Sequence, residues 1–189
     1  MSTIDGATGV KQLGGTDMKR LHREWRRRTD GRLTLLLDGI ASPFNLGAVF
    51  RTAAAYRVDH LWIAASQIDP TNSKAGRTAL GSDRYVPWSS TETVEEAIAE
   101  IAKAGDRLVG VELADGAVPM HEAAIEGPTC LAIGHEDRGL SKTALAACDS
   151  VVFLPQLGKI GSLNLASATA IAIWEVRRHN WQGQSNDAR

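Results

Sequence analysis

Ser162, Leu163 and Asn164 stand between a glycine-containing loop, residues 154–161, and a stretch, 165–174, whose only polar side chains are Ser167 and Thr169. Ala166, Ala168, Ala170 and Ala172 recur along that stretch, which reads as a helix packed closely against apolar surroundings. A buried helix start must still satisfy its first N–H groups, and Ser162 or Asn164 can cap it. A cap is one reading of the triplet. The other is a ligand site, where glycines let the backbone approach a small molecule and Ser and Asn orient it.

Two more segments repeat this design. In residues 33–53 an apolar run, Leu33-Thr34-Leu35-Leu36-Leu37, reads as a buried strand and Asp38-Gly39 as a turn. Ser42-Pro43 then opens a helix, with proline near its first position. That helix carries Asn45 early and Arg51 six residues later, a spacing that does not bring them into register on one face. A site shared by the two therefore requires Asn45 at or before the helix start. In residues 129–141 a second buried strand ends in Ile133-Gly134, followed by His135-Glu136-Asp137-Arg138-Gly139, and Ser141 can cap the next helix. Open α/β sheets hold ligands beyond the carboxyl ends of their strands, so three strand ends carrying polar groups point to one site. His135, Glu136 and Asp137 are consecutive, so their side chains point apart, and no metal site is read there.

Together the segments resemble the three motifs of the TrmH-type (SpoU) branch of the SPOUT RNA methyltransferases. Asn45, Gly47, Arg51 and Ala53 match the first motif, and Gly134, Glu136, Gly139 and Leu140 the second. Pro155, Gly158, Ser162, Leu163, Asn164 and Ala168 match the third. The likeness runs from about Leu33 to Arg178; Leu165 and Ala166 replace the valine and serine common in relatives. It implies transfer of a methyl group from S-adenosylmethionine to a ribose 2′-hydroxyl of RNA by a homodimer whose two chains build the site. It also implies a deep trefoil knot near the C-terminus. Arg51 would act on the hydroxyl, with Asn45, Glu136, Ser162 and Asn164 positioning it, the cofactor and the ribose. The cofactor would lie on Ile133, Gly134, Leu154, Gly158 and Leu163.

The elements that must position these residues alternate along the chain. Strands are read at 61–65, 108–111, 131–133 and 151–154 besides the first, and an amphipathic helix at 92–104 with Val94, Ala97, Ile98 and Ile101 on one side. The fold class is α/β, a mostly parallel sheet with helices on both faces. Residues 66–83, rich in Ser, Gly, Asn and Thr, read as a mobile loop over the site. The expected organisation is a flexible tail at 1–16, a basic helix at 17–32, the methyltransferase domain at 33–180 and a tail at 181–189.

With 189 residues, 43% hydrophobic and 23% charged, the chain can bury one substantial core. It has no apolar run long enough for a membrane span and no layout of a secretory signal. Cys130 and Cys148 read as buried free thiols of a reducing cytoplasm. A net charge of -1 hides a local basic run: Lys19, Arg20, Arg23, Arg26, Arg27, Arg28 and Arg32, opposed there only by Glu24 and Asp30. Leu21 and Trp25, four apart, give that helix an apolar edge opposite a basic face suited to RNA phosphates. Compact size and this helix favour tRNA; an rRNA substrate, including one tied to ribosome-targeting antibiotic resistance, is the alternative. A non-catalytic RNA-binding protein would not need Arg51, Glu136 and Asn164 together. A dinucleotide-dependent oxidoreductase would carry G-x-G-x-x-G after the first strand, where Asp38-Gly39-Ile40-Ala41-Ser42 stands instead.

Overall fold

The computed structural model describes residues 11–187, which fall into two units, one ending at Asp30 and one starting at Gly31. In the first, α1 (Gly15–Arg27) has no buried residue. Its basic side chains are exposed; Arg20 lies 3.6 Å from Asp17 and Arg28 3.0 Å from Glu24. Leu21 and Trp25 are 38% and 42% exposed, so the apolar edge read from their spacing is present on the helix surface. The helix begins at Gly15, inside the segment read as a tail, whose first ten residues lie outside those described.

The second unit runs β1 (Leu33–Asp38), α2 (Pro43–Ala55), β2 (His60–Ala64), α3 (Ser73–Ala79), β3 (Trp88–Thr91), α4 (Val94–Lys103), β4 (Arg107–Val111), β5 (Val118–Pro119), β6 (Thr129–Ile133), α5 (Lys142–Ala147), β7 (Ser150–Phe153) and α6 (Leu165–Asp187). A 3₁₀ turn, Ser82–Tyr85, follows α3. The seven strands form one parallel sheet in the order β3-β2-β1-β6-β4-β7-β5. Because strand side chains alternate between faces, Leu33, Leu35 and Leu37 pack with Leu46, Val49 and Phe50 of α2 and with Ala172, Ile173 and Val176 of α6. Leu36 packs on the other face with Val94, Ala97 and Ile101 of α4 and Ala144 of α5. Helices thus cover both faces, as the near-continuous apolar strands require.

Caps set the helix starts. Ser42 accepts from Asn45 N (3.3 Å) with Pro43 at the first position of α2, Ser141 accepts from Ala144 N (3.1 Å), and Thr93 with Glu96 forms a capping box on α4. α6 is fastened further along by Arg177, which is 1% exposed. Its guanidinium donates to the carbonyl of Gly31, just before β1, and to those of Tyr56 and Arg57 at the C-terminal end of α2.

Four regions differ from the sequence reading. Residues 66–83 hold a helix, α3, capped by Asn72 and seated through buried Ala75 and Ala79. Two edge strands, β3 and β5, join the five that were expected. α6 extends to Asp187, through most of the stretch read as a tail. It is also buried on one side only: Ile171 and Trp174 are each 46% exposed.

Candidate active site

β1, β4, β6 and β7 all point their carboxyl ends to the same end of the parallel sheet, and the loops that follow them meet there. Ile133 ends β6, and the next residues close a tight turn in which His135 and Gly139 exchange two backbone hydrogen bonds of 2.9 Å. The turn works only because residue 134 is glycine. A Cβ there would collide with the backbone of Gly139 and Leu140, so a side chain would disrupt this loop itself before reaching any ligand space.

Glu136 leaves that turn and reaches the start of α2. One carboxylate oxygen accepts from Ala41 N (3.0 Å), the other from Ser42 N (3.0 Å) and from Asn45 Nδ2 (3.0 Å). Asn45 Oδ1 in turn accepts from Asn164 Nδ2 (2.9 Å), and Asn164 Oδ1 accepts from Ser167 N (3.2 Å), capping α6. Asn164, rather than Ser162, is therefore the cap. A single chain of hydrogen bonds, Glu136–Asn45–Asn164, joins the three segments that the sequence singled out. Desolvation is the largest influence on Glu136 and acts to raise its pKa. The donors from Asn45, Ala41, its own backbone and Ser42 outweigh it, holding the carboxyl below the usual carboxylate range.

Beside this chain opens a cleft of about 350 Å³. Ile133, Gly134, Leu154 and Leu163 line it, as does Ser162; Gly158 does not, and Gln156 and Gly161 stand on that loop instead. Leu165 and Ala168 of α6 add apolar wall. Two acids that the sequence reading passed over support the site. Glu112, in the cleft wall, accepts from Leu140 N (2.9 Å) and Leu113 N (3.1 Å), and buried Asp38 accepts from Ser141 N (2.8 Å). Each repeats the pattern of an acid at a strand end, the one signal that could have marked them.

Arg51 is placed apart. Asn45 lies within the first turn of α2, so the condition for a shared face fails; a six-residue step leaves the two side chains roughly 120° apart around the axis. Arg51 is exposed, forms no hydrogen bond or ion pair among the described residues, and does not line the cleft. Cys130 is buried and Cys148 half-buried, both free; burial pushes their thiols up to about 12 and about 11, so neither supplies a nucleophile.

Residues 32–174 match the family model described as the SpoU rRNA Methylase family. The chain belongs to that family. Among SpoU relatives, it is 30% identical over 156 residues to the tRNA (guanosine(18)-2′-O)-methyltransferase of Escherichia coli strain K12, covering 81% of this chain and 65% of that protein. It is 28% identical over 151 residues to the 23S rRNA (guanosine-2′-O-)-methyltransferase RlmB of Shewanella oneidensis, covering 80% and 61%. The chain thus spans less than two thirds of either relative's length. Its fold matches the AdoMet-bound rRNA methyltransferase of Sinorhizobium meliloti with a TM-score of 0.75 at 30% identity, over 80% of this chain and 58% of that one. The match covers the elements that build the cleft and the Glu136–Asn45–Asn164 chain, so both belong to the SpoU part of the molecule.

Proposed function

We propose that the protein transfers a methyl group from S-adenosylmethionine to a ribose 2′-hydroxyl of RNA, with tRNA the favoured substrate. The observation that carries this reading is the Glu136–Asn45–Asn164 chain, which ties three loops into one rim beside the cleft. The cleft suits the cofactor: apolar Ile133, Leu154 and Leu163 offer a face for adenine, and the glycine turn exposes backbone groups. Glu112, Glu136 and Asp137 stand along it against Arg138, a balance that favours a sulfonium cation over a polyphosphate. RNA phosphates would meet Arg20, Arg23, Arg26 and Arg27 on α1 and Arg28 at its C-cap. The Escherichia coli relative supports tRNA; the Shewanella oneidensis relative supports the alternative, an rRNA substrate.

When bound, S-adenosylmethionine supplies a methyl group already activated by its sulfonium. What remains is to hold the ribose oxygen in line with that methyl and help its proton leave as the new O–C bond forms. A guanidinium stays protonated, so Arg51 cannot take the proton. It donates instead, orienting the hydroxyl and a neighbouring phosphate oxygen that receives the proton, and stabilising charge that develops on the attacking oxygen. Asn45, Ser162 and Asn164 hold the rim against which the ribose lies. Since Arg51 stands off the cleft of its own chain, we assign the complete site to a homodimer, in which Arg51 of one chain faces the cleft of the other. The exposed Ile171 and Trp174 of α6 give such a dimer an apolar face. We further propose that the segment after β7 closes the deep trefoil knot of this fold family, and that the protein works in the cytoplasm.

Substituting Arg51 by Ala tests the chemistry. Calorimetry should show unchanged S-adenosylmethionine affinity while methyl transfer to bulk tRNA falls by roughly a hundredfold or more. Arg51→Lys should recover only part of it, because a point charge cannot reproduce the planar fork. Near-normal turnover in Arg51→Ala would remove Arg51 from the reaction. Mapping 2′-O-methyl positions in total RNA from cells with and without the gene decides between tRNA and rRNA.

A further inference from the structure

Phe44, Gly47 and Arg51 recur at helical spacing and so share one face of α2. α3 crosses that face at Gly47, where a Cβ would stand 2.6 Å from the Ala75 carbonyl oxygen and 2.6 Å from Thr78 Cβ. The missing side chain lets α3 lie directly on α2, and the 3₁₀ turn Ser82–Tyr85 packs on α2 as well. Phe44 and Arg51 therefore flank the crossing, and whatever α3 and the turn display is presented beside Arg51.

Together with Phe44 of α2 they display large apolar and aromatic side chains to solvent. Tyr85 is 78% exposed, Leu80 72% and Phe44 61%. Leu80 does so with a left-handed backbone, φ 51°, an uncommon conformation for a non-glycine residue that ends α3 and leaves its side chain in solvent. Lys74, Arg77 and Arg84 are exposed on the same two elements, against one carboxylate, Asp83, between positions 72 and 86. Exposed aromatic rings interleaved with cations are the composition of surfaces that hold single-stranded nucleic acid, where rings stack on bases and cations track the phosphates. A duplex offers no free base face, so the aromatic part of such a surface is wasted on it.

We propose that α3 and the following 3₁₀ turn, with Phe44, form the platform that holds an unpaired nucleotide of the RNA beside Arg51, Tyr85 stacking on a base and Lys74, Arg77 and Arg84 binding phosphates. The proposal rests on the RNA methyltransferase reading and narrows its substrate to an unstacked segment, such as a loop, rather than a paired stem.

The full-length protein is titrated into a fluorescently labelled single-stranded RNA 12-mer of mixed sequence and into the corresponding duplex. Tyr85→Ala should weaken binding to the single strand by roughly 5- to 100-fold, the range expected when one base loses its stacking partner, and leave duplex binding alone. Tyr85→Phe should keep wild-type affinity, since the ring and not the hydroxyl stacks. Replacing Lys74, Arg77 and Arg84 together by Gln should flatten the log–log salt dependence by about 0.7 for each phosphate no longer neutralised. Failure of the wild-type protein to bind the single strand, an equal loss on the duplex, or unchanged binding by Tyr85→Ala overturns the platform. So does a Tyr85→Ala protein that sediments as a monomer where the wild type is a dimer, because Tyr85 then serves a second copy of the chain. Methyl transfer to bulk tRNA separates the two ideas. Tyr85-dependent binding without any methyl transfer sinks the activity and keeps the platform; methyl transfer with an unchanged RNA KM in Tyr85→Ala does the reverse.

Discussion

Acids sit at both ends of the parallel sheet. At the N-terminal ends of the strands, Asp59 accepts from Leu33 N (2.9 Å) and Asp149 from Leu108 N (2.7 Å). Asp106, with no exposed side-chain surface, takes two bonds from Arg32 (2.6 and 3.2 Å) and one from Thr34 Oγ1 (2.8 Å). At the C-terminal ends, Asp38, Glu112 and Glu136 accept only from neutral donors, mostly loop N–H groups. The first set fixes where strands begin, and one of its members, Asp106, is paired with a counter-charge, Arg32. The second fixes loops that no strand holds; none of its three acids is ion-paired among the described residues, and Glu112 and Glu136 stand in the cleft wall. The same residue type thus secures the fold at one end and shapes a site at the other, and the difference lies in what the acid holds: strand starts and a buried ion pair in one case, loops and helix starts in the other.

The largest expected effect is at the open end. Gly134→Leu forces the turn between His135 and Gly139 apart, because the new side chain meets backbone that cannot rotate away. S-adenosylmethionine affinity should fall by about a thousandfold or beyond detection, since several cleft walls move together. Far-UV circular dichroism should stay near wild type, because the strands and helices are anchored elsewhere. Retained cofactor affinity would show that the turn can rearrange without harming the cleft, and the two ends would no longer differ in kind.

At the closed end, Asp106→Ala should act on stability instead. It leaves Thr34 Oγ1 without an acceptor in the core and Arg32 without its bidentate partner. Arg32 is 41% exposed and can turn to water, so the cost is held to about 3 kcal/mol, or roughly 6–12 °C in Tm. Below the transition, cofactor affinity should match wild type. A drop in affinity at a temperature where the variant is fully folded would couple the two ends through the strands and break the contrast.

Much of this contrast could be read from the sequence. Apolar runs ending in Asp38, in Gly134-His135-Glu136 or in the 154–161 loop marked three strand ends, and Ser42-Pro43 and Ser141 marked the helices that follow. β3 escaped because Trp88-Ser89-Ser90-Thr91 has no apolar run, and β5 because two residues show no period. α3 escaped for a different reason: it is held by the absence of a side chain at Gly47, and an absence in one segment says nothing about the segment that fills it. Glu112 stands alone after its strand and resembles any surface acid until Leu140 N is seen to bond to it. The Ser162–Asn164 ambiguity also needed coordinates, since either side chain has the reach to cap and only the backbone direction decides.

The smallest effect sharpens the comparison by pH. Glu136 is held below the usual carboxylate range in the folded protein, because the donors from Asn45, Ala41 and Ser42 outweigh its desolvation. A depressed folded pKa means the folded state prefers the ionised form more than the unfolded chain does. That stabilisation is fully present above the unfolded pKa and is lost as pH falls through the folded one. Glu136→Gln keeps the shape, but its single carbonyl oxygen can serve Ser42 N and Asn45 Nδ2 and not Ala41 N as well. The variant should be less stable by about 1 kcal/mol at neutral pH, a modest figure because the carboxylate is only half-buried and solvent screens it. Urea unfolding from about pH 7 down to about pH 3 should show the two proteins converging as the wild-type carboxyl protonates and comes to resemble an amide. Parallel curves across that range would mean that Glu136 titrates alike folded and unfolded, and that the rim of the cleft is held by shape rather than by charge.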